Sequence, residues 1–382
     1  MTQNVVEHPS RKRLLKFGRV AVSIAIVIAI FALIIPKFAN YSSVLGTMTK
    51  LTVLQVFVVL GAMLFSMVAS WWQMQAALPG LTLGQAALTN QTGTTISNII
   101  PGGGVISLGV VIKMFRSWGF SRSAVSLEIS TSGIWNCFMK LGLPIAALAL
   151  LGITGRATAA QVIPALIGLF ILIGIALLFV LVLWKRQFAH AIGRAVDTAW
   201  SLVCRLFKKP PVRTCGEKAV RFRESTIKLV EKRWLALTAS TIVSHIALFA
   251  VLLLCLRFVG VMPSQVTGVQ VLAVFAFARL LSAAPITPGG VGVVELALIG
   301  GLYAAGRGRL GSSAEAFKAQ ITAATLLFRT LTYGLQIPIG GFTYVIWRHN
   351  LRLRMARASI PMQRAQRMPI TLPWASGRRE SA

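Results

Sequence analysis

The sequence predicts an all-α polytopic membrane protein, with six full spans and two oppositely oriented re-entrant helical hairpins in an inverted repeat. Three observations lead to this prediction. The 382-residue chain is 55% hydrophobic and only 13% charged, whereas a soluble domain carries about 25% charged residues. Apolar runs long enough to cross a bilayer recur along the chain. Lys and Arg crowd between those runs and at the two ends, which is typical of cytoplasmic segments of membrane proteins.

The formal net charge of +30 would indicate a nucleic-acid partner in a soluble protein. Because the basic residues flank apolar runs here, they favour topology signals and contacts with anionic lipids instead. We therefore expect a membrane and no nucleic acid. The four cysteines and four histidines lack the spacing of metal ligands, so we expect no metal and no cofactor.

Six apolar runs are long enough for full spans, since a helix needs about 20 residues to cross the hydrocarbon core. They are 20–36, 51–72, 124–152, 160–184, 235–256 and 318–346. No small-residue cleavage site follows the first run, so we expect a retained span behind a basic cytoplasmic N-terminus, 1–19, rather than a signal peptide.

Two further apolar stretches, 85–112 and 266–306, are interrupted by "IIPGGGV" and "PITPGGV". Proline lacks the backbone donor and glycine weakens a helix, so each cluster should end one. At membrane depth, such irregular backbone survives only where protein buries it or where it faces water. Both stretches are thus predicted to dip into the membrane and return.

Positive charge fixes the predicted direction of each stretch. The segment 185–233 carries thirteen Lys and Arg against four Asp and Glu, and it is cytoplasmic only if 85–112 returns to the side from which it enters. The basic tail, 347–382, is then cytoplasmic too, and we expect it to be disordered. The transmembrane domain is 20–346.

This topology makes 51–152 and 235–346 repeats of opposite orientation, with their Pro-Gly-Gly turns at corresponding places. Inverted repeats with interrupted helices are typical of transporters whose site lies near the bilayer midplane. The alternative is a pair of unrelated glycine-rich kinks that allow close helix packing.

The helix that follows each glycine turn should present free N–H groups and a positive dipole end to an anion. Ionisable residues inside the spans are the other candidates, because burying them is costly. A Glu295–Arg329 pair would neutralise both charges, as a brace or as part of a transport site. Lys140 is a further intramembrane cation, and His245 is expected to be a packed polar contact. The candidate substrate-binding residues are Pro101, Gly102, Gly103, Lys113, Arg116, Glu128, Arg279, Pro288, Gly289, Gly290, Gly292, Glu295 and Arg329.

Two segments carry a family resemblance: "SNIIPGGGVISLGVVIKMFRSWGF" and "PITPGGVGVVELALIGGLYAAG", the latter followed by "ATLLFRTLTYGLQIPIGG". They resemble the signature regions of the lysylphosphatidylglycerol synthase transmembrane-region family, which is flippase-like. The resemblance covers roughly 15–350 and places the 288–290 turn, Gly292, Glu295 and Arg329 at motif positions. The first segment departs from the family pattern, since Gly109 is followed by no carboxylate and the base is Lys113.

The resemblance implies translocation of a lipid across the bacterial cytoplasmic membrane, with both termini cytoplasmic. The cargo is expected to be an anionic phospholipid or a polyprenyl-phosphate-linked glycan. Because the chain ends at residue 382, we expect no aminoacyl-transferase domain and no enzyme activity. One alternative is a non-transporting accessory subunit of a lipid or cell-wall synthesis enzyme, recruited through 185–233. Another is an intramembrane lipid transferase, for which Glu295 and Glu128 are the available carboxylates. Candidate protein partners are a second copy of the chain and an enzyme of cell-envelope biosynthesis.

Overall fold

The computed structural model describes residues 49–100, 103–153, 215–282, 287–309 and 314–366, with a few isolated positions between them. The predicted spans 20–36 and 160–184, the N-terminus, the segment 185–214 and the end of the tail lie outside these residues. All regular structure in the described part is helical. The α-helices are α1 (Val53–Ala77), α2 (Leu83–Ile99), α3 (Gly103–Ser117), α4 (Arg122–Ile153), α5 (Cys215–Phe258), α6 (Gly268–Leu281), α7 (Val293–Gly306), α8 (Ala314–Arg329) and α9 (Gln336–Gln366).

Three of these helices are long and apolar enough to cross a membrane: α1, α4 and the part of α5 from Arg223 to Phe258. They coincide with the predicted spans 51–72, 124–152 and 235–256. The protein is therefore a multi-pass membrane protein.

The three long helices pack into a scaffold. Ser70 of α1 hydrogen-bonds Ser244 of α5, and Met63 packs near Val251 further along, so α1 and α5 are antiparallel. The Trp135 indole of α4 donates to the Thr238 hydroxyl at 3.0 Å. Further along both helices, Lys140 of α4 and His245 of α5 lie close enough to interact and line one cavity, so α4 is parallel to α5.

Two antiparallel helical hairpins lie beside this scaffold. In hairpin 1, formed by α2 and α3, the Ser107 hydroxyl donates to the Gly93 carbonyl at 2.7 Å. In hairpin 2, formed by α6 and α7, the Gln270 amide donates to the Ala305 carbonyl at 3.4 Å, and Gly301 fits against Val274. Each hairpin therefore returns to the end of the molecule from which it starts.

Both hairpins begin with the same cap. Thr82 starts α2 and Thr267 starts α6, and each hydroxyl accepts from the backbone N–H of a glutamine three residues later. The glutamine side chain accepts in turn from the threonine N–H. This reciprocal box satisfies two of the free helix-end donors without a charge.

A rod formed by α8 and α9 shows how the hairpins face each other. At one end, Phe317 packs against Gly306 at the base of hairpin 2. At the other end, the Trp347 indole donates to the Ser117 hydroxyl at the base of hairpin 1. Midway, the Tyr333 hydroxyl donates to the Asn98 carbonyl at the tip of hairpin 1, 3.0 Å away. The hairpins thus approach tip to tip from opposite ends of the part of the rod between Phe317 and Trp347, which is about 45 Å long.

The rod differs from the prediction of one continuous span over 318–346. A wider turn, Thr330–Gly334, separates α8 from α9, and the Leu335 N–H reaches back to the Thr330 carbonyl at 2.7 Å. Pro338 has no N–H to give to the Gly334 carbonyl, which explains the local loss of the regular pattern.

Candidate functional site

The tip of hairpin 2 is a glycine turn with an unusual backbone. Gly289, Gly290 and Gly292 have φ angles of 60°, 68° and 84°, a region that strains residues with a Cβ. A Cβ at Gly289 would also overlap the ring of Tyr333. The "PGGVG" sequence is therefore required both by the turn and by its close contact with the rod.

A buried ion pair closes this tip. Glu295 lies in the first turn of α7, and its Oε1 accepts from the Arg329 Nε at 2.7 Å. Its Oε2 accepts from the Gly292 N–H at 2.6 Å. The predicted pair is present, and both carboxylate oxygens of Glu295 are used inside the protein.

Arg329 makes two further contacts with the same turn. Its guanidinium donates to the Gly289 carbonyl at 3.2 Å and lies over the Tyr333 ring, 4.9 Å from the ring centroid. At the N-terminus of α7, expected to present free N–H groups to an anion, the Gly292 N–H is therefore occupied by the protein's own carboxylate. These contacts favour a brace as the role of the pair.

Hydroxyl groups hold the tip of hairpin 1 instead. The Thr95 hydroxyl donates to the Gln336 carbonyl at 2.8 Å, and Thr92 hydrogen-bonds Thr343 at 3.0 Å. Gly340 lies so close to Thr95 that an added Cβ would overlap its hydroxyl. Hairpin 1 is thus fixed to α9 through α2.

A polar cavity of about 550 Å³ lies where the two tips meet the scaffold. All nine α-helices of the described residues contribute to its lining, so both hairpins, the rod and all three long helices meet there. Arg279, Gly289 and Arg329 are the predicted site residues that line it.

The cavity contains uncompensated positive charge. Lys140 of α4 and Arg279 of α6 line it, and neither has an ion-pair partner among the described residues. The two cations repel each other, and Arg279 is also repelled by Arg329. Since Glu295 compensates Arg329 alone, an anion in the cavity would be attracted to the other two.

Several buried polar atoms of the lining have no hydrogen-bond partner within the described residues. They are the Arg279 Nε, the His245 Nε2, the Gln73 Nε2 and the Gln91 Oε1. The Nδ1 of His245 bonds the Thr241 carbonyl of its own helix at 3.0 Å. This ring nitrogen makes the packed polar contact that was predicted, whereas Nε2 does not. A buried unpaired polar atom costs free energy, so these four atoms are unsatisfied by the described part of the chain.

Other predicted site residues lie away from this cavity. Lys113 and Arg116 are exposed near the base of hairpin 1, where Arg116 donates to the Phe120 carbonyl at 2.8 Å. Glu128 is buried in α4 and accepts from the Ser132 hydroxyl at 3.1 Å. Gly103 packs against its own hairpin near Ile96. Gly290 is part of the 288–290 turn. Gly292 and Glu295 form the start of α7 and stabilise the tip through their hydrogen bond. Pro101 and Gly102 lie outside the described residues.

The prediction missed the polar wall of the cavity. Asn90, Gln91, Thr94, Ser97 and Asn98 line it from α2. Their spacing of three and four residues puts most of them on one helix face. A polar face within a stretch predicted to enter the membrane was the available signal, because such a face must find partners there.

The fold and cavity define a class: a multi-pass helical membrane protein with two opposed hairpins around a cationic, polar cavity. The chain belongs to the family described as lysylphosphatidylglycerol synthase TM region, whose sequence model matches residues 20–340. Membership indicates a membrane protein whose function concerns lipids. A comparison with curated proteins found no match.

Proposed function

We propose that the protein translocates a lipid with an anionic headgroup across the bacterial cytoplasmic membrane, and that the headgroup binds in the cavity between the hairpin tips. The observation that carries the proposal is the presence of Lys140 and Arg279, two cations without a carboxylate partner, in a polar cavity beside unpaired polar atoms. Placing such charges at membrane depth is costly, and in membrane proteins they typically mark a substrate or ion path.

Helix lengths support re-entrant hairpins. α3 has 15 residues and α7 has 14, which gives about 22 Å and 21 Å, whereas the hydrocarbon core is about 30 Å thick. Two such hairpins meeting near the midplane would leave the cavity accessible from both sides as the tips move. Their opposed directions along the rod support an inverted repeat.

Positive charge supports an orientation. The base of hairpin 1, the start of α4, the part of α5 around residues 228–233 and the part of α9 around Trp347 lie at one end of the molecule. That end carries Lys113, Arg116, Arg122, Lys228, Lys232, Arg233 and Arg348. By the positive-inside rule it would face the cytoplasm.

A second cavity provides a place for the lipid chain. It measures about 290 Å³, is lined mainly by apolar side chains of α1, α2 and α9, and shares Met63, Met67 and Gln91 with the polar cavity. A headgroup in the polar cavity could therefore keep its acyl or prenyl chain in the apolar one.

The test is a translocation assay in vesicles. Purified protein is reconstituted with a fluorescent phosphatidylglycerol, and the fraction of label reached by an impermeant quencher is followed over time. The double variant Lys140→Ala/Arg279→Ala is expected to lower the translocation rate at least about tenfold. Each substitution removes one charge-assisted contact with the anionic headgroup. The double variant Arg122→Ala/Arg348→Ala, which removes two exposed positive charges, is the control.

Equal rates for the wild type, the double variant and empty vesicles would overturn the transport proposal. The accessory-subunit alternative would then be favoured if neutralising the basic residues of 185–233 reduced association with a lipid-synthesising enzyme.

A further inference from the structure

A buried carboxyl group on α4 lies outside the cavity and has no role in the site described above. Glu128 is 3% exposed, and its Oε1 accepts from the Ser132 hydroxyl at 3.1 Å. It has no ion-pair partner among the described residues. A carboxylate is costly to bury without a counter-charge, whereas a neutral carboxyl with a hydrogen bond costs far less. The packing around Glu128 therefore suits a carboxyl group that carries a proton.

No charged side chain in the described part of the chain compensates Glu128. The helices that pack closely against α4 are α1, α3, α5 and α6, and α1 contains no ionisable residue. On α3 and on the neighbouring part of α5, the charged side chains are exposed, apart from the half-buried Arg223. They are Lys113, Arg116, Glu224, Lys228, Glu231, Lys232 and Arg233. Lys140, His245 and Arg279 line the cavity, about three helical turns further along α4. None of these groups interacts with Glu128.

A stripe of polar side chains on α4 leads from Glu128 to the cavity. Ser132, Asn136 and Lys140 follow Glu128 at intervals of four residues, so the four side chains share one helix face. Ser132 donates to Glu128, and the Asn136 amide donates to the Ser132 carbonyl at 2.8 Å. Asn136 and Lys140 line the cavity, and Asn136 lies about 12 Å from Glu128 along the helix axis. The stripe is therefore a polar connection between the buried carboxyl and the cavity.

Apolar side chains cover Glu128 on the side of the base of hairpin 1. Val125 and Ile129, which flank it in α4, belong to one apolar cluster with Phe115 of α3. Leu127 packs in a second cluster with side chains of α1 and α5. Separating the base of hairpin 1 from α4 would open the first cluster and expose this side of Glu128 to water.

We propose that Glu128 is a proton-binding site, and that it couples the movement of an anionic lipid to the movement of a proton. In the closed arrangement of the structure, Glu128 holds a proton that it exchanges with the cavity along the stripe. When the base of hairpin 1 opens, water reaches the side chain, and the carboxyl ionises and releases the proton there. Carboxyl groups inside membrane proteins typically serve such proton paths.

The steps balance in atoms and in charge. One proton from the solution on one side of the membrane joins a carboxylate oxygen of Glu128, and the same proton leaves on the other side. A singly charged lipid anion that moves with it transfers no net charge. The coupling rests on the proposed function, because it assumes that the protein moves a lipid, whereas the proton site itself does not.

The first experiment detects the bound proton. Infrared difference spectra of the full chain in lipid nanodiscs are recorded as the pH is changed, and the C=O stretch of a protonated carboxyl group is followed. We expect a band that titrates in the wild type and is absent from Glu128→Gln. The matched control is Glu315→Gln, which changes an exposed carboxylate and should keep the band. Ser132→Ala should shift its frequency, because the hydrogen bond to the carboxyl is lost.

The second experiment measures the coupling. Vesicles that contain the protein and a fluorescent phosphatidylglycerol receive a pH gradient, and an impermeant quencher reports the lipid in each leaflet. With one proton per lipid, a gradient of about one pH unit should concentrate the lipid about tenfold in the leaflet on the alkaline side. We expect Glu315→Gln to keep this asymmetry and Glu128→Gln to lose it, as in vesicles without protein.

The outcomes separate this inference from the proposed function. A titrating band that persists unchanged in Glu128→Gln would overturn the proton site. Lipid that moves in the wild type but stays evenly distributed under the gradient would overturn the coupling and leave lipid transport intact. If the wild type moved no lipid, the proposed function and the coupling would both be wrong, and the infrared band would still decide whether Glu128 binds a proton.

Discussion

Hairpins 1 and 2 have the same shape, the same Thr-x-x-Gln cap and tips that meet beside Tyr333, but their tips are held by different chemistry. Hairpin 2 is closed by the buried Glu295–Arg329 pair, whose side chains are 2% and 13% exposed. In the described part of hairpin 1, the contacts with the rod are hydroxyl hydrogen bonds, and its first helix is polar rather than apolar.

The difference shows how one repeated geometry can serve two purposes. A charge pair with both oxygens of the carboxylate in use fixes the tip of hairpin 2, whereas Arg279 on α6 of the same hairpin has no carboxylate partner among the described residues. The described part of hairpin 1 contains no such ion pair, and its helix α2 presents amide side chains to the cavity. We infer that the Glu295–Arg329 pair is the rigid support of hairpin 2, whereas the amides of hairpin 1 and Arg279 of hairpin 2 are available to a ligand.

The largest expected effect is the loss of the charge pair in hairpin 2. Arg329→Ala leaves Glu295 buried without its partner, and breaking a buried pair in this way costs about 3–5 kcal/mol in the free energy of unfolding. Thermal unfolding in detergent, followed by circular dichroism, measures the loss.

Two variants make this prediction specific. Lys318→Ala removes a cation from the same helix, where an exposed 2.8 Å pair with Glu315 should contribute little. The double variant Glu295→Leu/Arg329→Leu should recover much of the lost stability, because no unpaired charge remains. If Arg329→Ala and Lys318→Ala unfolded at the same temperature, the assignment of the Glu295–Arg329 pair as a brace would be wrong.

A smaller effect is expected where hairpin 1 meets the rod. Gly340→Ala places a methyl group against the Thr95 hydroxyl and the Gln91 carbonyl, and overpacking of this kind costs about 2 kcal/mol. Because the change forces α2 away from α9, it should also alter lipid binding in the cavity.

Its neighbour provides a matched control. Nothing lies within 4 Å of a Cβ at Gly341, so Gly341→Ala should keep or raise stability, since alanine is the better helix former. Equal unfolding temperatures for the two variants would show that α2 and α9 are not closely packed at this point.

A single hydrogen bond within hairpin 1 should matter less. Ser107→Ala removes the 2.7 Å bond to the Gly93 carbonyl and should cost about 1 kcal/mol. Hydrogen exchange measured by mass spectrometry should rise in α2 and α3 and stay constant in α6 and α7. Increased exchange in both hairpins would contradict their independent attachment to the rod.

Sequence reasoning found hairpin 2 more completely than hairpin 1 for a physical reason. Glu295 and Arg329 are charges in apolar surroundings, so each is costly alone and their pairing could be predicted. The long spans were also predictable, because length and hydropathy alone define them. Both features can be recognised from one segment of the chain at a time.

The cavity could not be predicted in that way. Gln73, Gln91 and Lys140 come from three different helices, and only their packing shows that they share one space. The interruption of the rod was missed because Pro338 is tolerated in a membrane helix when neighbouring groups adjust. Contacts between distant segments, rather than local composition, determine both features.

The smallest expected effect has the opposite sign and belongs to the cavity. Arg279 carries a charge with no carboxylate partner in the described residues and is repelled by Arg329. Arg279→Gln removes that repulsion and keeps a hydrogen-bonding side chain, so we expect a gain of about 0.5 kcal/mol in stability, as is common when a functional compromise is removed. Binding of phosphatidylglycerol should fall in the same variant.

Arg329→Gln is the matched change at the braced cation and should lower stability, because it leaves Glu295 unpaired. If both variants lost stability, Arg279 would be a second brace and the division of roles between the two cations would be wrong. Opposite signs would show that one cation supports the fold while the other is kept, at a cost in stability, for a ligand.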